Sequence, residues 1–187
     1  MTDKGFTLAE ILVAMAVFML MLAGILAANL FGLRMFQVNQ TKLNITTWSR
    51  QTVEKMATEV HSCNRVLVCS ITNGLFAGLL NGETQQGPAL MIYPSTNDYT
   101  YFVYFVNSAD QTFRQTVATT TATNTVILAD SVTNTIPFTA QDFSGKVLTN
   151  NLNNRVIHFT LEFYQPARFL QGADYYRLET AMTRRAE

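Results

Sequence analysis

Charge is scarce in this chain. Lys, Arg, Asp and Glu together make up 14% of its 187 residues, and the formal net charge is zero. A neutral chain with no basic stripe lacks the electrostatic footprint of a strong nucleic-acid binder, so no nucleic-acid partner is expected. Histidine is scarcer still, with only His61 and His158. The phosphate-cradling glycine loop, the G-x-S-x-G nucleophile turn and the H-E-x-x-H zinc signature are all missing. Catalysis therefore has no foothold: no catalytic residue and no cofactor is expected, and the chain is not read as an enzyme. Cysteine is limited to Cys63 and Cys69. His61 lies close to Cys63 but no fourth ligand follows, which argues against zinc. Asp98, Asp110, Asp130 and Asp142 fall near turn signals, yet they are scattered and lack the close spacing of a calcium loop, so no metal is expected. Proline is absent before Pro88, which leaves the front of the chain free to form a long helix.

What the front does contain is apolar. Residues Ile11 to Ala28, ILVAMAVFMLMLAGILAA, carry no charge at all. As a helix that run covers roughly 27 Å, and Phe6 to Ala9 extend it to a comfortable membrane span. A single carboxylate, Glu10, sits at its edge. In lipid such a charge costs ~2.5–3.5 kcal/mol on insertion scales, so it asks for a partner. The residues alone leave three readings open: a removed signal peptide cut near Ala27-Ala28, an ordinary N-terminal anchor, or a precursor in which the acid has a use. Glu10 interrupts the basic-to-apolar transition of a signal peptide, and the run is long for one. The basic residues flanking it, Lys4, Arg34 and Lys42, do not decide its orientation.

The helical pattern continues past the run. Phe31, Met35, Val38, Ile45, Trp48, Met56 and Val60 form a stripe, broken at Lys42 and Thr52. One helix from about Phe6 to Ser62 would be roughly 85 Å long. Its first half, about residues 8–28, would span the membrane, and its second half would lay the stripe on a globular core. Ala23 with Ala27 and Gly24 with Ala28 give small-residue spacings that permit close helix packing, a pattern common in any Ala-rich helix.

Residues 63–187 read as β. Candidate strands are Arg65–Ile71, Ala89–Tyr93, Tyr99–Asn107, Thr112–Val117, Thr125–Ala129, Arg155–Tyr164 and Tyr175–Met182. The alternation of Ile157, Phe159, Leu161 and Phe163 with His158, Thr160 and Glu162 is the clearest, and places His158 on a polar face. Turn signals separate the strands at Asn73-Gly74, Asn81-Gly82, Gly87-Pro88, Asn97-Asp98, Ser144-Gly145 and Gln171 to Asp174. The Thr-rich stretch from Thr116 to Thr125 reads as a solvated edge strand or loop. No helical segment lies between the later strands, so an antiparallel sheet is expected. The fold class is α+β: a long N-terminal helix packed on an antiparallel head. Cys63 and Cys69 would be bridged in an oxidising compartment, for about 2 kcal/mol, with two buried thiols as the alternative. A strand running straight through Cys69 would hold the sulfurs too far apart.

Residues Gly5-Phe6-Thr7-Leu8-Ala9-Glu10, followed at once by the apolar run, resemble the class III leader of type IV prepilins and type II secretion pseudopilins. The resemblance covers about the first tenth of the chain. It implies a leader of residues 1–5, cleavage by a membrane prepilin peptidase between Gly5 and Phe6, and N-methylation of Phe6. It implies that Glu10 pairs with the new amine of a neighbouring subunit during assembly. The partners it implies are other pilin or pseudopilin subunits, the prepilin peptidase and an inner-membrane assembly platform. The leader would lie in the cytoplasm and the head outside it, first on a single-pass anchor and then in a filament. Many members carry a proline in the membrane half, where this chain has Ala27. Ile127 to Thr133 with Ile136-Pro137-Phe138, and Tyr176 to Thr180 running into Arg184-Arg185, look like segments of minor J-type pseudopilins and PilW-like minor pilins. A minor filament subunit is the expected role. A major pilin, or a membrane-tethered adhesin module that never polymerises, is the alternative.

Overall fold

A computed structural model describes residues 7–96, 98–165 and 174–185, with the side chains of 37–49, 165 and 174 outside the description. The turn expected at Gln171 to Asp174 falls almost wholly outside those residues. The chain divides into two compact units, Met1–Thr46 and Thr47–Glu187.

The first unit holds the start of helix α1, which as a whole runs Leu8–Ser62. Residues Leu8–Phe36 are long and apolar enough to cross a membrane, and none of that segment is buried. Its 29 residues rise about 43 Å, against a hydrocarbon core of about 30 Å. Phe31 and Met35, expected on a packed stripe, are exposed. Among the described residues of this unit nothing covers the apolar side chains.

The second unit opens with the last turns of α1, and here Met56 and Val60 of the expected stripe are buried, while its members Val38, Ile45 and Trp48 have side chains outside the description. Met56 and Val60 are fully inaccessible, with Val53 and Ala57 packed beside them. Among the described residues ten antiparallel strands follow: β1 Arg65–Thr72, β2 Leu75–Gly78, β3 Gln86–Gly87, β4 Ala89–Tyr93, β5 Tyr101–Asn107, β6 Thr112–Ala118, β7 Thr123–Ala129, β8 Phe138–Gln141, β9 Val156–Gln165 and β10 Asp174–Thr183. They form two sheets rather than the single one expected. The larger has the order β2-β1-β4-β5-β6-β7 and the smaller β10-β9-β8-β3. The fold is α+β, a long N-terminal helix followed by antiparallel sheets.

Local chemistry explains several connections. Asn73 and Gly74 both have positive φ, 52° and 77°, as a two-residue type I′ hairpin requires, and they join β1 to β2. β3 passes close to β1: a Cβ on Gly87 would lie 2.4 Å from the Cys69 carbonyl oxygen, so only glycine fits. The Thr-rich stretch divides. Thr116 is buried in β6, while Thr123 to Thr125 open the exposed edge strand β7.

One core draws on the helix end and both sheets. It joins Met56 and Val60 to Val66, Val68, Leu90, Ile92, Tyr104 and Phe113 of the larger sheet and to Phe138, Ile157, Phe159 and Leu161 of the smaller. Phe113, Phe138 and Phe159 are in mutual ring contact, with centroids 5.2–6.3 Å apart. The opposite face of the larger sheet carries a second cluster of Cys69, Ala89, Met91 and Val103. Leu67, Phe76, Tyr93, Tyr101 and Phe105 pack against it.

Candidate assembly site at the helix N-terminus

A helix leaves its first four amides without intrahelical partners, and in a low-dielectric setting each orphan is costly. Here Thr7 and Glu10 satisfy two of them reciprocally. The Thr7 amide donates to Glu10 Oε2 at 2.9 Å, and the Glu10 amide donates to Thr7 Oγ1 at 3.4 Å. The Thr7 hydroxyl donates to the same Oε2 at 2.9 Å. The first full turn closes with the Ile11 amide on the Thr7 carbonyl at 3.2 Å. This is a capping box, with Thr7 at the N-cap and Glu10 three residues on. Glu10 thus has an intramolecular partner that the costly lone charge did not imply. The sequence signal for the box is the Thr-x-x-Glu spacing itself.

The box uses one side of the carboxylate. Its bonds fall on Oε2, and among the described residues none falls on Oε1. The acid can therefore hold its own helix start and still present an oxygen outward. Both residues stand at the threshold of the apolar segment, and both follow the expected cleavage point, so cutting before Phe6 would leave the box intact. Gly5 and Phe6 themselves lie outside the described residues.

The two cysteines do not form the expected bridge. Both are buried free thiols. Cys63 belongs to the main core with Val66, whereas Cys69 belongs to the cluster on the opposite face of the sheet. β1 runs unbroken between them, so the pleat turns the Cys69 side chain away from Cys63. Burial pushes the Cys69 thiol up to about 12, and raises that of Cys63.

Most of the other residues weighed for chemistry have structural partners, and His61 Nδ1 lies 3.4 Å from the Thr183 carbonyl oxygen. His158 Nε2 is 3.0 Å from Glu179 Oε1, and Arg177 joins Glu179 at 2.9 Å on the same strand pair. Asp98 pairs with Arg65 at 2.7 Å, and Asp110 with Arg114. Asp142 accepts from the Ser144 hydroxyl and from the amides of Lys146 and Ser144 in a turn, which holds its carboxyl below the usual range. Among the described residues no group of three or more His, Cys, Asp and Glu could hold a metal.

Residues 1–26 match the family described as the prokaryotic N-terminal methylation motif. No curated protein and no solved structure matches the chain significantly. The motif is structural rather than enzymatic, and the match supports a type IV pilin-like precursor. An apolar helix long enough to span a bilayer begins within the matched residues.

Proposed function

We propose that this chain is a structural subunit of a type IV pilus-like or type II secretion-like filament. The observation that carries the reading is the methylation-motif match over residues 1–26, coinciding with an uncovered apolar helix from Leu8 to Phe36. In this reading a prepilin peptidase cuts between Gly5 and Phe6, and Phe6 is methylated. The subunit waits in the inner membrane with its head outside the cytoplasm. Assembly replaces lipid by neighbouring helices around the apolar segment, and the outward oxygen of Glu10 receives the amine of an adjacent subunit. An ion pair in low dielectric penalises a lone partner heavily, so it sets register between subunits. The β-rich head with its J-like segments favours a minor subunit over a major one.

The test is the mass of the mature N-terminus isolated from cells with an active peptidase. A start at Phe6 carrying one methyl group is expected. A start after Ala28 would make the segment a signal peptide, and an intact Met1 would make it a plain anchor.

One observation favours the tethered-module reading. Glu10 caps its own helix, so a simple anchor also has a use for it. The N-terminal mass separates the two, because a plain anchor needs no cut at Gly5.

A further inference from the structure

Where α1 ends and β10 ends, the second unit holds a half-open cavity of about 560 Å³. Its wall includes Arg155, Arg184, Arg185, His61, Ser62 and Thr96, and among the described residues no carboxylate lines it. Three guanidiniums bring three positive charges to one wall. The C-terminus of a helix offers only about half a negative elementary charge in return. The cavity therefore keeps a large positive excess.

The walls are fixed by backbone. The Arg184 amide donates to the Arg155 carbonyl at 2.8 Å, and the Arg185 amide to the His61 carbonyl at 3.2 Å. The Asn64 amide donates to the Tyr93 carbonyl at 2.9 Å. A terminal nitrogen of Arg184 donates to the Asn64 carbonyl, which anchors that side chain. Its Nε is buried and has no hydrogen-bond partner. Arg155 and Arg185 are exposed, and among the described residues neither makes a hydrogen bond or ion pair through its side chain. These are cations without a structural duty, held beside a pre-formed cavity.

We propose that this cavity binds a small polyanion, a molecule carrying two or more carboxylate or phosphate groups. Guanidinium forks match the oxygens of both groups in bidentate geometry. The volume lies in the range of small-ligand sites, roughly 300–1,000 Å³, and exceeds what one simple ion would fill. The inference is independent of filament assembly and uses no residue of the N-terminal segment.

The test is titration calorimetry on the full chain in detergent micelles, with citrate and inorganic pyrophosphate as separate probes. Saturable binding with a Kd at or below about 1 mM is expected for at least one probe, weakening as salt is raised. The probe that binds more tightly identifies the carboxylate or the phosphate as the preferred group. The double variant Arg155→Gln, Arg185→Gln should bind at least about tenfold more weakly. It should melt as the parent does, because neither side chain supports the fold. Arg177→Gln, on the smaller sheet, should bind as the parent does. No saturable binding of either probe, or unchanged affinity in the folded double variant, would overturn the proposal.

Discussion

Tyr104 donates its phenol hydrogen to Glu59 Oε2 at 2.7 Å, joining a fully buried ring of β5 to the last turns of α1. Gln115 donates to the Tyr104 oxygen at 2.8 Å, and Lys55 donates to Gln115 Oε1 at 2.8 Å. The network fixes the rotation of the helix end on the sheet, where the apolar contacts of Met56 and Val60 alone would tolerate some slip. Removing one partner leaves a half-buried group unsatisfied. Tyr104→Phe should cost about 1–3 kcal/mol in chemical denaturation. No change would mean that the contact is dispensable.

The same network sets a pH dependence. Burial raises the Glu59 carboxyl above its usual 4.5, and the Tyr104 and Gln115 bonds and the charge of Lys55 offset only part of this. A raised carboxyl binds its proton more tightly in the folded chain than in the unfolded one. Its contribution is thus greatest below pH 4.5 and is lost as pH rises through the folded value. Glu59→Gln should remove that loss. Relative to the parent it should gain stability from pH 4.5 upward, read as denaturation midpoints across a pH series. A parent and variant with parallel profiles would contradict the assignment.

Much of the second unit was legible because its strands have one wet face. Ile157, Phe159, Leu161 and Phe163 were read from alternation, and all four are buried in β9. Asn73-Gly74 was read as a turn from its chemistry alone. The second sheet was not legible. β3 has two residues and β8 four, and their pairing joins Gly87 to Phe138 and Phe138 to Phe159, contacts between residues distant in sequence. The bridge expected between Cys63 and Cys69 failed for a related reason. Both faces of β1 are covered, Val66 and Val68 by the main core and Leu67 and Cys69 by the second cluster, so the strand reads as an unbroken apolar run and hides which way Cys69 points. At the candidate site, Glu10 was legible as a costly charge, while its bond to Thr7 was readable only as a spacing.

Gly87 is held by the carbonyl of Cys69 rather than by its own backbone angle. A methyl group there would meet backbone oxygen at 2.4 Å, and backbone cannot rotate away as a side chain can. Gly87→Ala should therefore force β3 away from β1 and destabilise the head by about 1–3 kcal/mol, the usual range for overpacking. Thermal melting of the purified variant measures it. A stability equal to the parent's would show that the two strands separate freely.

The cysteines make a chemical prediction. Two buried thiols, one pushed up to about 12, should resist a thiol reagent in the folded chain at mildly alkaline pH. Both should react once the chain is unfolded in denaturant without reductant. A disulfide would instead leave no reactive thiol after unfolding, so counting labelled cysteines by mass decides between the two states.

Thr7 and Glu10 separate capping from assembly. If Glu10 serves only to close its own helix, Thr7→Val and Glu10→Ala each break the box and should have matching consequences. If its outward oxygen also receives a neighbour's amine, the two variants part. Thr7→Val keeps the carboxylate and should retain most incorporation into filaments. Glu10→Ala removes the anion and should block incorporation while membrane insertion persists, because losing a charge only makes the segment more apolar. Glu10→Gln keeps an acceptor for the Thr7 amide but not the charge, and should follow Glu10→Ala. The measurement is the ratio of filament-borne to membrane-borne subunit for each variant. Equal ratios in Thr7→Val and Glu10→Ala would confine Glu10 to the helix it begins.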